Sequence, residues 1–216
     1  MELRDKNGLT EEEFLAQYEP GDYERPSMTV DTLIFAAPGL KDYLTIPAFT
    51  EHSVKLLLIK RGGHPCLGKW ALPGGFVNPD ETITQAAHRE LCEETGVKNL
   101  PLTQLYTFSQ PGRDPRTWVM SCSHITLIDT DTVKPKAGDD ADKAAWFDVR
   151  LKIMLKDKKS RQFKLLLENG STTLTSLLEC PASGFDESTC KVLENDGLAF
   201  DHPKMILCGL LKLLNI

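Results

Sequence analysis

Apolar runs alternate with glycine-rich or charged breaks along the first two thirds of the chain, and this pattern predicts a mixture of helices and strands. The segment 10–18 opens with a threonine and three acids before an apolar pair, which is typical of a short capped helix. β-Branched and aromatic residues from Ser27 predict a strand, and the near-continuous apolar run 54–59 predicts a strand covered on both faces. Further strands are predicted over 102–108, 118–128 and 144–147.

The strongest helix prediction covers residues 82–95. Thr82 and Gln85, three positions apart, form a capping box, and Gly96 is a natural helix end. At about 100° per residue, the apolar positions of this helix fall on one stripe that should pack against a sheet. The stripe consists of Ile83, Ala86, Ala87 and Leu91.

Acidic residues interrupt this apolar stripe. Glu90 and Glu94 lie in its middle, one helical turn apart, and Glu93 lies at its edge. Arg89 can pair with Glu93 four residues on, which leaves Glu90 and Glu94 without a counter-charge. A buried carboxylate needs a counter-charge to offset the cost of its burial. Mg²⁺ can supply that charge, since it typically joins one or two carboxylates to substrate phosphates. We therefore expect a magnesium or manganese site on this helix, the alternative being an exposed acidic helix without a ligand.

The pattern changes between residues 150 and 197. Asn169-Gly170 lies between two apolar-alternating runs, which predicts a β-hairpin inserted into the main domain. The final segment, 198–216, is predicted to form an amphipathic helix capped by Asp201 or His202. A basic cluster precedes the hairpin, and either a solvated face or an anionic partner would explain it. Its members are Lys152, Lys156, Lys158, Lys159, Arg161 and Lys164.

Length and composition limit the class of protein. A chain of 216 residues, 41% hydrophobic and 26% charged, is expected to form one globular domain over 1–216. The net charge of −6 disfavours a general nucleic-acid binder. There is neither an apolar run long enough to cross a bilayer nor an apolar N-terminal leader, so we expect a cytoplasmic protein without a membrane partner. The six cysteines lack metal-binding or redox spacing and are expected to be free thiols.

The residues around the acidic helix resemble the Nudix box. Gly75, five residues, Glu81, seven residues and then the run 89–97 (Arg-Glu-Leu-Cys-Glu-Glu-Thr-Gly-Val) match that box without a departure. A chance match has a probability on the order of 10⁻¹⁰ per start position. The resemblance implies an α+β fold, an α/β/α sandwich with a mixed β-sheet between helices. Residues 1–26 would form an N-terminal helix and the segment that leads into the first strand. It also implies metal-dependent hydrolysis of a nucleoside diphosphate linked to another moiety.

Motifs outside the box resemble the ADP-ribose pyrophosphatase branch of the Nudix hydrolases. This resemblance implies hydrolysis of ADP-ribose to AMP and ribose 5-phosphate, and a homodimer. A housecleaning hydrolase for a dinucleotide or an oxidised triphosphate is an alternative. A ligand-sensing regulator is a second alternative, which is disfavoured because only fourteen residues follow His202. Specific nucleic-acid binding is not expected. The branch motifs lie at 24–27, 58–61, 68–76, 112–116, 138–141 and 198–202.

By the same resemblance, Glu90 and Glu94 ligate Mg²⁺, for which Mn²⁺ can substitute. Glu93 is a third ligand or an orienting partner, the carbonyl of Gly74 completes the coordination, and Arg89 holds the cluster by an ion pair. Glycine at 74 and 75 would let the backbone approach the metal and the diphosphate closely. We expect Glu81 to be structural rather than catalytic.

Fewer motifs support the general base and the substrate-binding residues than support the metal ligands. The base comes either from the box or from a downstream loop with Asp139 and Asp140, which could equally be an acidic surface turn. The expected catalytic set is thus Arg89, Glu90, Glu93, Asp139 and Asp140. Arg113 and Arg116 suit a diphosphate or ribose, with a surface ion pair to Asp114 as the alternative. Arg61 and Gly75 are the other expected substrate contacts, whereas Trp70, Trp118 and Trp146 are expected to be packing residues.

Overall fold

The computed structural model describes residues 2–37, 54–129, 134 and 141–214. Three α-helices are α1 (Glu11–Gln17), α2 (Ile83–Thr95) and α3 (His202–Leu214), and a short 3₁₀ helix spans Pro20–Asp22. Ten strands are β1 (Ser27–Ala36), β2 (Lys55–Arg61), β3 (Trp70–Ala71), β4 (Gly74–Phe76), β5 (Thr103–Phe108), β6 (Val119–Ile128), β7 (Ala141–Lys156), β8 (Ser160–Asn169), β9 (Thr172–Pro181) and β10 (Lys191–Asp196). No helix among the described residues is both long and apolar enough to cross a membrane.

All ten strands of the described residues join one mixed sheet. The order is β10-β9-β8-β7-β2-β1-β6-β5, while β3 pairs with β2 and β4 pairs with β1. Strands β1 and β6 are parallel over their full length, with Ser27 opposite Val119 and Ala36 opposite Ile128, and the other described pairs are antiparallel. The short strand β4 therefore runs beside the centre of the sheet, directly before the loop that leads into α2.

Helices cover both faces of this sheet. Successive side chains of a strand point to opposite faces, so β1 sends Leu33 and Phe35 one way and Ile34 the other. Leu33 and Phe35 belong to the apolar cluster that contains α3, whereas Ile34 packs with Leu91 of α2. Gly209 of α3 sits against Leu33, where a Cβ would come within 2.7 Å of the leucine. The predicted α+β sandwich is confirmed.

The hairpin predicted in the 150–197 segment widens the main sheet and does not stand apart from it. Strand β7 runs across the predicted boundary, because its first half pairs with β2 and its second half with β8. The strand predicted over 144–147 is consequently much longer than expected. The β8–β9 hairpin pairs Asn169 with Thr172, and Gly170 in its turn has a φ of 55°, in the left-handed region that favours glycine.

One pair of cysteines departs from the expectation of free thiols. Cys180 at the end of β9 and Cys190 before β10 form a disulfide. The sheet register explains the pairing: Glu179 is opposite Lys191, so the two cysteines are cross-strand neighbours with Cα atoms 4.2 Å apart. Sequence spacing alone could not show this juxtaposition. The other four cysteines (Cys66, Cys92, Cys122 and Cys208) are free.

Candidate active site

A cavity of about 660 Å³ opens where β1, β4 and α2 face the β5–β6 loop and the start of α3. Its lining contains a group of acidic residues and a group of arginines, which we call the acidic side and the basic side. The acidic side includes Asp31, Glu90 and Glu94, with Gly74 and Gly75 between them. The basic side includes Arg61, Arg113 and Arg116, together with Phe200 and His202.

Glu94 is the most buried acid of α2. Its residue is 7% exposed, and its Oε2 accepts a hydrogen bond of 2.7 Å from the backbone N–H of Gly74. Within the described part of the chain, no donor bonds its other oxygen. Burial, helped by the nearby carboxylates of Glu90 and Asp31, raises the pKa of Glu94 to about 8 in spite of the hydrogen bond from Gly74. A cation beside this carboxylate would offset the cost of burying its charge.

Glu90 lies against the backbone of β4. A Cβ placed on Gly75 would come 2.5 Å from the Glu90 carboxylate, so only glycine leaves that carboxylate its position. At Gly74 the same space is filled by the backbone of β1, through the pairing with Asp31. The two glycines therefore serve strand pairing and the placement of Glu90, in addition to any approach of a ligand. Burial raises the pKa of Glu90 as well, against the opposing effect of Arg89.

Arg89 connects three acids. Its guanidinium donates to Glu81 through Nε (3.0 Å) and Nη2 (2.7 Å), and through Nη1 to Glu90 (2.7 Å) and Glu93 (2.9 Å). The expectation that Arg89 would leave Glu90 without a counter-charge is wrong, since both bonds form at once. The hydrogen bonds from Arg89 lower the pKa of Glu81 to about 2. Glu81 also accepts from the N–H of Asn78 and so fixes the loop before α2, as expected of a structural residue.

Sequence reasoning missed a buried pair on the cavity floor. Asp31 in β1 is 8% exposed, and its Oδ1 lies 3.4 Å from Nε2 of His202. Nδ1 of His202 accepts a hydrogen bond from the N–H of Leu72, so a neutral ring carries its proton on Nε2 and can donate it to Asp31. Ser121 donates to the other oxygen of Asp31. The signal was an acid inside the mostly apolar strand 30–35. His202, expected as a helix cap, instead turns its ring to this carboxylate.

The structure gives each of the two loop arginines a partner. Arg113 is buried and forms a bidentate ion pair with Asp201, with distances of 2.8 and 2.9 Å, so its expected alternative partner Asp114 is wrong. Asp114 pairs with Arg116 instead, at 2.7 and 3.0 Å. Arg116 remains half-exposed at the cavity, with its guanidinium 5.0 Å from the ring centre of Phe76. Both arginines line the cavity, so both can meet an anionic ligand there.

Phe200 supports the guanidinium groups on this basic side. The Arg61 guanidinium lies 5.1 Å from the centre of its ring and that of Arg116 lies 6.0 Å away. The Arg61 Nε also donates to the carbonyl of Pro65. Phe200 has a φ of 46°, which is unusual for a bulky residue and marks a backbone held by its surroundings. Cation–π contacts thus hold two like charges close together, as a phosphate-binding surface requires.

The predicted site residues do not all converge. Glu93 is exposed and its carboxylate bonds Arg89. Asp139 and Asp140 lie outside the described residues. Trp70 packs edge-on against Phe147 as expected, whereas Trp118 is 43% exposed, so its interpretation as a packing residue is wrong. None of the three tryptophans is among the residues that line the cavity.

The donor set suits a hard divalent cation with an incomplete protein shell. Two partly buried carboxylates, Glu90 and Glu94, face the cavity beside the backbone of Gly74. Among the described residues, no three acidic, histidine or cysteine side chains form a metal cage of their own. Mg²⁺ is typically bound by one or two carboxylates plus waters and substrate phosphates. The arrangement therefore fits an ion that is completed by a phosphate-bearing ligand.

Comparisons with known proteins agree with this geometry. The NUDIX domain pattern matches residues 44–168. The ADP-ribose pyrophosphatase of Methanocaldococcus jannaschii is 42% identical over 49% of this chain and 62% of its own length. The ADPR responsive transcriptional repressor NtrR of Acinetobacter baylyi is 37% identical over 56% of this chain and 45% of its own length. This chain thus spans only about half of the lengths of these two relatives. A MutT/nudix family protein from Enterococcus faecalis has a solved structure with 33% identity and a TM-score of 0.69, covering 96% of this chain and 70% of that one.

Proposed function

The chain belongs to the Nudix family, and we propose that this Nudix hydrolase cleaves the diphosphate bond of ADP-ribose to give AMP and ribose 5-phosphate. One observation carries the proposal: a single cavity is lined both by the partly buried acids Glu90 and Glu94 and by Arg61 and Arg116. A diphosphate bridged to a cation needs both kinds of group. The similarity to an ADP-ribose pyrophosphatase supports the choice of substrate.

We assign the metal to Glu90, Glu94 and the carbonyl of Gly74, with Mg²⁺ as the ion and Mn²⁺ as a substitute. When bound, the ion supplies charge neutralisation on the phosphate oxygens, which is the main requirement of diphosphate hydrolysis. Arg89 holds Glu90 in place through its bond of 2.7 Å. Gly74 positions Glu94 through its N–H. These bonds orient the two carboxylates that would hold the ion.

On the basic side, Arg61 and Arg116 bind the diphosphate, because a guanidinium can hold two oxygens at once. Arg113 is paired with Asp201 and its side chain is only 6% exposed, against 40% for Arg116, so we assign it to shaping this wall. In the reaction, water attacks one phosphorus and the bridging P–O bond breaks, which yields two monophosphates. The group that takes the proton of that water stays a prediction, with an acid of the box and the loop residues Asp139 and Asp140 as candidates.

A substrate panel tests this proposal. The full chain with Mg²⁺ or Mn²⁺ is assayed on ADP-ribose, NADH, ADP-glucose and nucleoside triphosphates, with release of AMP measured by chromatography and EDTA as the control. We expect the highest kcat/KM for ADP-ribose and no turnover in EDTA. Triphosphates preferred by about tenfold or more, a difference of ~1.4 kcal/mol, would refute the substrate and leave the hydrolase class intact.

The repressor relative makes ligand sensing a second candidate function. ADP-ribose binding without hydrolysis, together with specific retardation of DNA at moderate salt, would support it. We expect hydrolysis and no specific retardation, because all the acids of the box are present and three of them are tied to Arg89. The expected homodimer and cytoplasmic location stay predictions, and sedimentation analysis of the purified chain checks the first of them.

A further inference from the structure

The loop between β9 and β10 reaches back to the arginine-bearing β5–β6 loop through one acid. Glu187 is 6% exposed, and both of its carboxylate oxygens accept from the N–H of Ser109 at 2.9 Å. Its Oε1 also accepts from the N–H of Gln110 at 2.8 Å. The carboxylate therefore satisfies two consecutive backbone donors of a loop about 78 positions away in sequence. Charged acceptors of this kind form the stronger hydrogen bonds in proteins.

A buried lysine of α3 completes the same junction. Lys204 is 8% exposed, and its Nζ donates to the side-chain oxygen of Gln110 (2.6 Å) and to the backbone carbonyl of Glu187 (3.0 Å). The ammonium group thus offsets the buried negative charge while it joins the two loops to the helix. Such a charge would be costly to bury without partners, so the junction is stable only when all three elements meet.

This junction leads directly to the basic side of the cavity. The N–H of Arg113 donates to the carbonyl of Gln110 at 3.2 Å, and the Arg113 side chain is held by Asp201 at the start of α3. Arg116 follows three residues later and faces the cavity. The described residues that line the cavity include none from 141–197. The influence of this segment on the cavity must therefore pass through contacts such as that of Glu187.

We propose that Glu187 is a positioning residue for substrate binding: it fixes the start of the β5–β6 loop, and thereby places Arg113 and Arg116 at the cavity. The inference rests on the proposed function, in which this wall binds the diphosphate. It assigns a role to the 150–197 segment, whose return loop supplies Glu187. The Cys180–Cys190 disulfide closes that loop at its base and limits how far Glu187 can move.

The test compares Glu187→Gln with Asp186→Asn. The amide oxygen can still accept from both N–H groups, but it carries no charge, and the amide NH₂ group takes the place of Oε2 beside the N–H of Ser109, where two donors face each other. The bonds to the loop are therefore weaker. Asp186 is exposed in the same turn and its carboxylate bonds Ser188, which makes it a matched control for local disturbance. We expect Glu187→Gln to raise the KM for ADP-ribose about tenfold, equivalent to ~1.4 kcal/mol, with kcat within about twofold. Asp186→Asn should match the wild type.

A double variant separates positioning from general destabilisation. On an Arg116→Ala background the loop has lost its half-exposed cavity arginine, so adding Glu187→Gln should raise KM by less than about twofold. Fully additive effects would show that Glu187 acts elsewhere and would overturn the inference. If Glu187→Gln fails to fold, Glu187→Asp replaces it. Aspartate keeps both oxygens on a shorter side chain, so we expect its KM to lie between that of the wild type and the tenfold increase.

Amide hydrogen exchange provides a readout that does not depend on turnover. Exchange of Ser109 and Gln110 should accelerate about tenfold in Glu187→Gln and stay unchanged in Asp186→Asn. An unchanged KM despite faster exchange would refute this inference while the proposed function stood. A wild type that turns over no nucleotide would refute the proposed function, and with it this role for Glu187, even if exchange showed that the loops are joined.

Discussion

Replacing Glu94 with glutamine should abolish turnover and at the same time stabilise the metal-free protein. The carboxylate is buried, and its pKa is raised from 4.5 to about 8. The folded state therefore binds the proton more tightly than the unfolded state does. It follows that the free energy of unfolding falls as the pH rises from about 4.5 towards 8. A neutral side chain of the same shape removes this penalty.

The size of the effect follows from the raised pKa. Between pH 4.5 and pH 7, a span of roughly 2.5 pH units, the free energy of unfolding falls by up to ~1.4 kcal/mol per unit, which amounts to about 3 kcal/mol. The glutamine oxygen can still accept from the N–H of Gly74, whereas its NH₂ group needs an acceptor, which costs about 1 kcal/mol. We therefore expect Glu94→Gln to gain about 2 kcal/mol at pH 7 in EDTA.

Urea unfolding in EDTA at pH 5 and pH 7 measures this gain, and the Mg²⁺-dependent release of AMP measures the loss of turnover. We expect turnover to fall by at least about a hundredfold, since an ion that contributes several kcal/mol loses a ligand. Glu93→Gln, one residue away and exposed, is the stability control and should stay within about 0.5 kcal/mol of the wild type. Wild-type turnover in Glu94→Gln, or a loss of stability at pH 7, would refute the assignment of Glu94.

Two further predictions concern the cavity. Burial lowers the pKa of His202 from 6.5 to about 3, so the fold keeps the ring neutral, and the contribution of His202 to the free energy of unfolding falls below pH 6.5, by about 2 kcal/mol at pH 5. The buried Glu94 has the opposite effect in all variants, so the test is the difference between them: from pH 7 to pH 5 the wild type and a His64→Gln control should each lose about 2 kcal/mol relative to His202→Gln. An identical pH dependence in all three would contradict it. Gly75→Ala should keep the fold but displace the Glu90 carboxylate and lower kcat/KM about a hundredfold. Gly63→Ala, where an added Cβ meets nothing within 4 Å, should retain activity, and an active Gly75→Ala would show that the position of Glu90 is not critical.

The parts of the site that lie close together in sequence were predictable. The capping box, the end of α2 at Gly96 and the inward direction of Glu94 all follow from helical periodicity over thirteen residues. The hairpin at Gly170 likewise follows from local turn chemistry, although the observed pairing of Asn169 with Thr172 places the turn one residue later than predicted. Both features depend on interactions within a few turns or residues, which a single sequence contains.

The parts that depend on distant segments were not predictable. Asp31 and His202 meet only because β1 and α3 pack together, and the partner of Arg113 is Asp201 and not its neighbour Asp114. The Cys180–Cys190 disulfide needs the register of β9 with β10. In each case the sequence marks an unusual residue, but the choice of its partner is made by the three-dimensional arrangement of the sheet and α3.

The late position of α3 has a consequence for the biosynthesis of this enzyme. A ribosome makes β1, β4 and α2 long before His202, whose ring joins Leu72 across 130 positions. Nascent chains that still lack α3 carry the acids of α2 without the wall that encloses them, and sequence-distant contacts of this kind form slowly. Activity should therefore emerge only after translation has passed α3, and a chain stopped before that helix should be a substrate for chaperones and proteases.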